Sequence, residues 1–324
     1  MYIVTGGLGF IGSNLVKRLQ HRNQEKLIIV DIDNKGELSQ AARILLKDHE
    51  FVSNEDLLKK LSAGDFKDCK GVFHNGACTD TTEWNGEKMM RLNYNYSKDL
   101  LDLCLSARMP LVYASSGAIY GASQTNNDNL QDRYLPLNVY GFSKSLFDEY
   151  VYRVLLKKVD VKISRVVGLR YFNVFGPGED HKGKMASVIW HFSQQLKDSE
   201  ELRLFEGSHG YQAGQQLRDF IFIDDIVDLN LWAMECCDVS DIYNAGTGVA
   251  RTFNDVAEVI INFYGRGRKT YIPFPDNLMS YYQSYTCAQL DKLRLAGYKS
   301  DFTSLESGIK KYLTSMESKN NQLK

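Results

Sequence analysis

Three residues have the types and spacing to move a proton: Ser116, Tyr140 and Lys144. Ser116 closes an apolar run, Leu111 to Ser116, that has the look of a buried strand. Tyr140 and Lys144 lie four apart in a stretch that becomes helical. On a helix such positions share a face, so phenol and ammonium would be neighbours. A phenol titrates near about pH 10, and an adjacent cation favours its ionised form. Lys144 would then lower the pKa of Tyr140, and Ser116 would hold the oxygen whose proton Tyr140 takes or returns. A tyrosine and lysine so spaced are more often an ordinary surface pair, and the weight of the reading comes from what surrounds them.

The chain opens on Tyr2-Ile3-Val4, a short strand signal, followed by Gly6, Gly9 and Gly12 and then the helical pattern starting at Ser13. Glycines at this spacing let a tight turn form, let a diphosphate approach the backbone and let the helix pack on the strand. The helix N-terminus adds free N–H groups and a positive dipole end. A second strand, Leu27 to Val30, ends at Asp31, where a ribose-binding acid belongs in a dinucleotide fold. In the region that also holds Asp33, Asp31 would favour a free 2′-hydroxyl, whereas Lys35 or Arg43 would attract a 2′-phosphate, with Arg43 better read as a solvated side chain. Asp31 to Lys47 shows no clean periodicity. Later strand and helix signals alternate: helix Glu55 to Leu61, strand Gly71 to His74, helix Met89 to Ala107, strand Leu111 to Ser116 and helix Ser143 to Leu156. This pattern predicts an α/β fold, a Rossmann-type doubly wound parallel sheet with ligands beyond the carboxyl ends of its strands. A nicotinamide held there would exchange hydride while Tyr140 exchanges the proton.

Gln124 to Arg133 is polar and turn-rich, and Ile163 to Val174 reads as a late strand. The glycine-bearing loop Glu179 to Val188 carries His181, Lys182 and Lys184, which would either be solvated or meet phosphate or supply a second acid/base. Arg218 suits a diphosphate because its planar fork binds two oxygens, although a structural contact with Asp219 fits the spacing as well. Tyr243 to Gly248 reads as strand and turn, Phe253 to Tyr264 as helix, and Tyr271 to Asp276 as extended, because its prolines disfavour helix. The expected division is a dinucleotide-binding domain over residues 1–172, with later contributions from about 219–248, and a smaller substrate lobe over 173–324.

Composition narrows the class. The formal net charge is -1 and the hydrophobic fraction 44%, so a packed core is expected and no global field draws the chain to nucleic acid or membrane. Six cysteines without paired ligand spacing, and no apolar run long enough to span a bilayer, point to a reducing cytoplasm and to no metal.

With Gly6, Gly9 and Gly12, the run Ser115-Ser116-Gly117-Ala118-Ile119-Tyr120, and the pair Tyr140 and Lys144, the chain resembles the extended short-chain dehydrogenase/reductases that act on nucleotide sugars, over nearly its whole length. Within that family it is similar to the ADP-L-glycero-D-manno-heptose 6-epimerase branch. The stretches that carry this are Gly76 to Cys78 with Thr81 to Trp84, Pro136 to Lys144, Arg170 to Val174, His181 to Gly183 with Met185 to Val188, Phe205 to Ser208, and Tyr271 to Asp276.

The resemblance implies inversion of the sixth carbon of an ADP-bound heptose for lipopolysaccharide inner-core synthesis. It would proceed by transient oxidation with bound NADP, with NAD as the alternative, then rotation and hydride return. Two acid/base residues serve such a reaction, and they match Tyr140 and Lys182, with Lys144 tuning the first. The cofactor would lie along Phe10 and Ile11, near Asp31 and Ile32, beside Asn75, Gly76, Ala77, Cys78 and Thr79, and within reach of Asn93, Val174, Lys144 and Lys182. The ADP-sugar would meet Ser116, Asn173, Lys184, His191, Phe205, Glu206, Gly207, Ser208, Arg218 and Tyr282.

Departures from the family pattern are Asn75 for glutamate, Ile32 for asparagine, Lys184 for serine, and a longer loop between Ser208 and Arg218. The resemblance also implies a homo-oligomer, a pentamer. A UDP-hexose 4-epimerase is the runner-up. A dehydratase is disfavoured because Gly117 and Ala118 stand where those enzymes carry an Asp-Glu pair. A non-catalytic NADP sensor is disfavoured by the intact serine, tyrosine and lysine.

Overall fold

The computed structural model describes residues 1–23, 26–32, 40–123, 134–156 and 164–322. Lys35, Asp33 and the stretch from Gln124 to Arg133 lie outside the described residues.

The chain builds strands β1 (Ile3–Thr5), β2 (Ile28–Asp31), β3 (Glu50–Ser53), β4 (Val72–His74), β5 (Leu111–Ser116) and β6 (Val166–Tyr171) in one parallel sheet. Strands β7 (Asn173–Phe175), β8 (Glu201–Phe205) and β9 (Leu217–Phe222) leave it, and β10 (Asp241–Ala245) returns to pair with β6. The resulting order is β10-β6-β5-β4-β1-β2-β3, and every pairing within it is parallel. Strand order reverses between β1 and β4. That is the switch point at which a doubly wound sheet opens a crevice for ligand.

A parallel sheet must be covered on both faces, and the side chains of β2 show how. Ile29 joins a cluster with Leu15, Leu19, Phe73 and Ile226, whereas Ile28 and Val30 point the other way into a cluster with Leu57, Leu101 and Val151. Helices Phe10–Asn23 and Ile223–Glu235 lie together on the first face. Arg18 ties them at the surface through Asp224 and Asp228.

Beyond the main sheet, β9 pairs β7 and, antiparallel, β11 (Ala250–Thr252), while β8 pairs β12 (Arg268–Ile272). These smaller sheets stand past the carboxyl ends of the main strands and form the far wall of a cleft.

Several elements depart from the sequence reading. The expected long helix over Met89 to Ala107 is three pieces, Gly86–Met89, a π-helical turn Met90–Asn95 and Tyr96–Ser106. Such turns cluster at functional sites, and here the turn brings the Asn93 amide inward. The strand expected over Ile163 to Val174 breaks at Phe172, whose N–H bonds the Ala245 carbonyl at 3.1 Å, so that Asn173–Phe175 joins a different sheet. The stretch without clean periodicity holds a short helix, Gln40–Leu46, and β3 follows it. The helix bearing Lys144 begins at Val139, which places Tyr140 in its first turn.

Candidate active site

A cleft of about 710 Å³ runs between the main sheet and the smaller ones. The glycine turn forms its floor. Gly6 has φ +64°, and a Cβ there would meet the Gly76 nitrogen at 2.7 Å. A Cβ on Gly12 would stand 2.1 Å from the Gly6 carbonyl oxygen, so glycine is what lets the first helix pack onto the turn. Gly9 closes the turn by donating to the Gly6 carbonyl at 3.0 Å. Phe10 and Ile11, which follow, line the cleft, and the first-turn amides of the helix have no intrahelical acceptor. Asp31 at the end of β2 accepts the Leu8 amide at 2.9 Å and the Ile32 amide at 2.8 Å, thereby holding the turn in place.

Across the switch point, Thr5 accepts the Gly76 amide at 3.1 Å and contacts His74 at 2.7 Å. Asn93 is fully buried behind the cleft. Its amide clasps the Cys78 backbone at 2.8 and 2.9 Å and donates to Ser143 at 3.1 Å. Ser143 in turn donates to the Tyr140 carbonyl at 2.7 Å. Asn93 thus links the loop after β4 to the Tyr140 helix rather than facing the cleft itself.

Ser116, Tyr140 and Lys144 all line the cleft, delivered by the end of β5 and the first turns of one helix. Their electrostatics differ from the sequence expectation. Burial pushes the Tyr140 phenol up, hydrogen bonding with Ser116 pulls it down, and Asp148 adds a further upward push. Lys144 is not among the groups that lower it: a lysine weakened by burial gives up its charge before a phenol that burial has raised, and its ammonium donates to the Ala114 carbonyl at 2.8 Å. Burial brings Lys144 itself down to about 8, against the pull of Asp148. Asp148, one turn further along the helix, is paired at 2.8 Å with the fully buried Arg170 of β6.

Lys182 reaches the cleft from the turn Asp180–Met185. Its ammonium lies 5.1 Å from the centre of the Phe10 ring, and burial lowers its pKa while Glu179 raises it. Lys184 also lines the cleft, yet its ammonium is occupied by Asp80 at 3.3 Å and Thr82 at 2.7 Å. That pairing fastens the Lys182 turn to the loop after β4, an occupation that spacing could not show.

On the substrate side Asn173, Val174, His191, Phe205, Arg218 and Tyr282 line the cleft. Glu206 and Gly207 are exposed beside it, and Ser208 is turned inward to accept from Gln216 at 3.1 Å. Arg218 is nearly buried, packed on the Tyr282 ring at 4.8 Å and the Phe253 ring at 5.7 Å. Its contact with Asp219 is absent, since neighbours on a strand point to opposite faces. Asp219 instead accepts from Thr247, Gly248 and Ala288. Among the described residues Arg218 has no carboxylate partner, and burial lowers its pKa.

Among the described residues the cleft has no acid in its lining, whereas Lys144, Lys182, Lys184, Arg203 and Arg218 all reach it. Arg203 escaped the sequence reading because nothing in the alternation of β8 singles it out. Asn75 and Ser115 each present a buried polar atom to the cleft without a partner, Asn75 through Nδ2 and Ser115 through Oγ. An unpaired buried polar atom is costly. These atoms, the glycine floor and the cationic wall fit a dinucleotide on one side and a further anion on the other.

Fold and site together define a nucleotide-dependent epimerase or dehydratase. Residues 2–246 match the NAD dependent epimerase/dehydratase family, and the chain belongs to it. Among curated relatives, the ADP-L-glycero-D-manno-heptose-6-epimerase of Alkalilimnicola ehrlichii is 47% identical over 315 residues, covering 97% of this chain and 96% of the relative. The solved ADP-L-glycero-D-manno-heptose-6-epimerase of Helicobacter pylori superposes with a TM-score of 0.81 at 32% identity, covering 98% of this chain and 96% of that one. A UDP-N-acetylglucosamine 4-epimerase from Methanobrevibacter ruminantium has the same TM-score at 25% identity, with 98% of each chain covered.

Proposed function

We propose that the chain inverts the sixth carbon of the heptose in ADP-D-glycero-D-manno-heptose to give the L-glycero isomer, for lipopolysaccharide inner-core synthesis. The observation that carries this most directly is a cleft that, among the described residues, is lined by Tyr140, Lys182 and four further cationic side chains and by no acid. The relative of 47% identity supports the choice of sugar.

Along one wall Phe10, Ile11, Ala77, Thr79 and Asn75 would hold a nicotinamide dinucleotide, with Lys144 and Ser115 further in. When bound, the nicotinamide supplies a reversible hydride acceptor, so the reaction has no net redox change. Arg218 meets the diphosphate of the sugar nucleotide with a charge that no side-chain acid neutralises. Tyr140, hydrogen-bonded with Ser116, exchanges the hydroxyl proton on one side of the sugar. Lys182 does so on the other, after the oxygen has swung across. Burial lowers the proton affinity of Lys182, as a lysine acting in proton transfer requires.

Incubation of the purified protein with ADP-D-glycero-D-manno-heptose should yield the L-glycero isomer, read by NMR or chromatography. No turnover there, with turnover of UDP-galactose, would favour a 4-epimerase instead. NADP is the preferred cofactor in this reading, on the family and on Lys35. Binding titrations should show tighter NADP⁺ than NAD⁺, with the gap narrowed by Lys35→Ala. A variant whose preference is unchanged would remove Lys35 from the account.

A further inference from the structure

Glu179 stands immediately before the turn that carries Lys182 and is fully buried. Its carboxylate accepts the Gly176 amide at 3.3 Å, the Ser187 hydroxyl at 2.7 Å and the Ser187 amide, and Tyr312 of the C-terminal helix Leu305–Gln322 bonds it as well. Its own carbonyl takes the Lys182 amide at 3.0 Å. Among the described residues no cation lies within ion-pair reach of this carboxylate. Burying an acid among neutral donors is an expensive way to fasten a turn. Ser187 already caps the following helix through Trp190 at 3.3 Å, so capping alone does not require it.

We propose that Glu179 is a positioning residue for Lys182: it anchors both ends of the Lys182 turn and sets the charge environment of the ammonium. The proposal rests on the reading of Lys182 as the second acid/base group. Asp180, His181 and Lys184 share the turn with Lys182, and His191 follows on the next helix. Tyr140 and Lys144 line the same cleft, while the first helix contributes the uncharged Phe10 ring. Lys184 is already paired with Asp80, and of all these groups Glu179 is the one that holds the proton on Lys182 against burial. Without that charge Lys182 would lose its proton at lower pH, and the group meant to alternate between donor and acceptor would be biased toward acceptor.

Glu179→Gln removes the charge and keeps one acceptor oxygen, enough for the Gly176 amide and the Ser187 hydroxyl, while its NH2 replaces the oxygen that takes the Ser187 amide. The reporter is the NMR titration of isotopically dimethylated lysines, with the Lys182 signal assigned by its loss in Lys182→Arg. Glu179→Gln should move that titration down by about half a unit to one and a half units. One limb of the pH–rate profile for heptose epimerisation should move with it, and the other should stay. Ser187→Ala, which removes a cap and leaves the charge, should lower the melting temperature and leave the Lys182 titration in place. If Glu179→Gln does not fold, Glu179→Asp, which keeps the charge, should titrate as wild type. A Lys182 titration unmoved in Glu179→Gln, or moved equally by Ser187→Ala or Glu179→Asp, would reduce Glu179 to a cap and overturn the proposal. A titration that shifts in a protein inactive on the heptose would uphold the Glu179–Lys182 coupling and count against the substrate reading instead.

Discussion

Arg218 separates binding from stability more sharply than any other side chain of the cleft. A buried guanidinium without a carboxylate is costly to the folded chain on its own, and its value lies in the anion it meets. Replacing it with methionine, which fills similar space between Tyr282 and Phe253, should therefore leave the melting temperature unchanged or raise it. The same change should raise KM for the ADP-sugar by about tenfold or more, the loss expected for a charge-assisted contact. A variant that loses stability while keeping KM would mean that Arg218 is structural. At this scale the sequence was informative where chemistry depends on residue type, as with Ser116, Tyr140, Lys144 and Lys182, which the fold brings to one cleft. It was uninformative where the outcome depended on partners distant along the chain. The Asp80 that occupies Lys184 and the Arg170 that pairs Asp148 come from other elements. The expected lowering of Tyr140 by Lys144 did not appear for a related reason: the fold buries both groups, which raises the phenol and brings the lysine down to about 8.

The elements around the switch point are tied by a buried histidine. His74, at the end of β4, contacts Thr5 of β1 at 2.7 Å and Ser97 of the helix Tyr96–Ser106 at 2.8 Å, and Thr5 holds the Gly76 amide. Burial, with Lys144 nearby, lowers His74 to about 3. The unfolded chain therefore binds a proton near about pH 6.5 that the folded chain refuses until near pH 3. Stability from this group is complete above the unfolded value and is lost as pH falls through the window between the two. His74→Gln should be less stable than wild type at pH 7, yet its unfolding free energy should fall less steeply between about pH 6 and 4. Parallel slopes for the two proteins in urea unfolding would show that His74 titrates alike folded and unfolded. Element types were largely legible, because period and turn chemistry are local: β5 and the helix Phe253–Tyr264 fall where the pattern put them. The π-helical turn and the break at Phe172 were not, because Cys78, Ser143 and Ala245 impose them from elsewhere in the fold.

For the whole molecule, the glycine turn and the smaller sheets border one cleft whose lining includes both Tyr140 and Lys182, the two groups proposed to move protons. Among the described residues no helix is long and apolar enough to cross a membrane. The parallel character of the main sheet follows from the alternation of strand and helix, whereas the far wall was beyond reach, because the partners of β7, β8 and β9 cannot be read from their own sequence. The arrangement makes sense for a reaction that begins and ends at the same carbon oxidation state, with the sugar turning between the walls while the nucleotide stays anchored. That claim is open to one direct measurement. ADP-D-glycero-D-manno-heptose carrying deuterium at the sixth carbon, incubated with the enzyme in ordinary water, should give a mixture of both epimers by NMR. Each should retain its deuterium at that carbon, with no lasting reduced cofactor in solution. An L-glycero product that has exchanged its deuterium for solvent hydrogen, or no L-glycero product at all, would contradict the account.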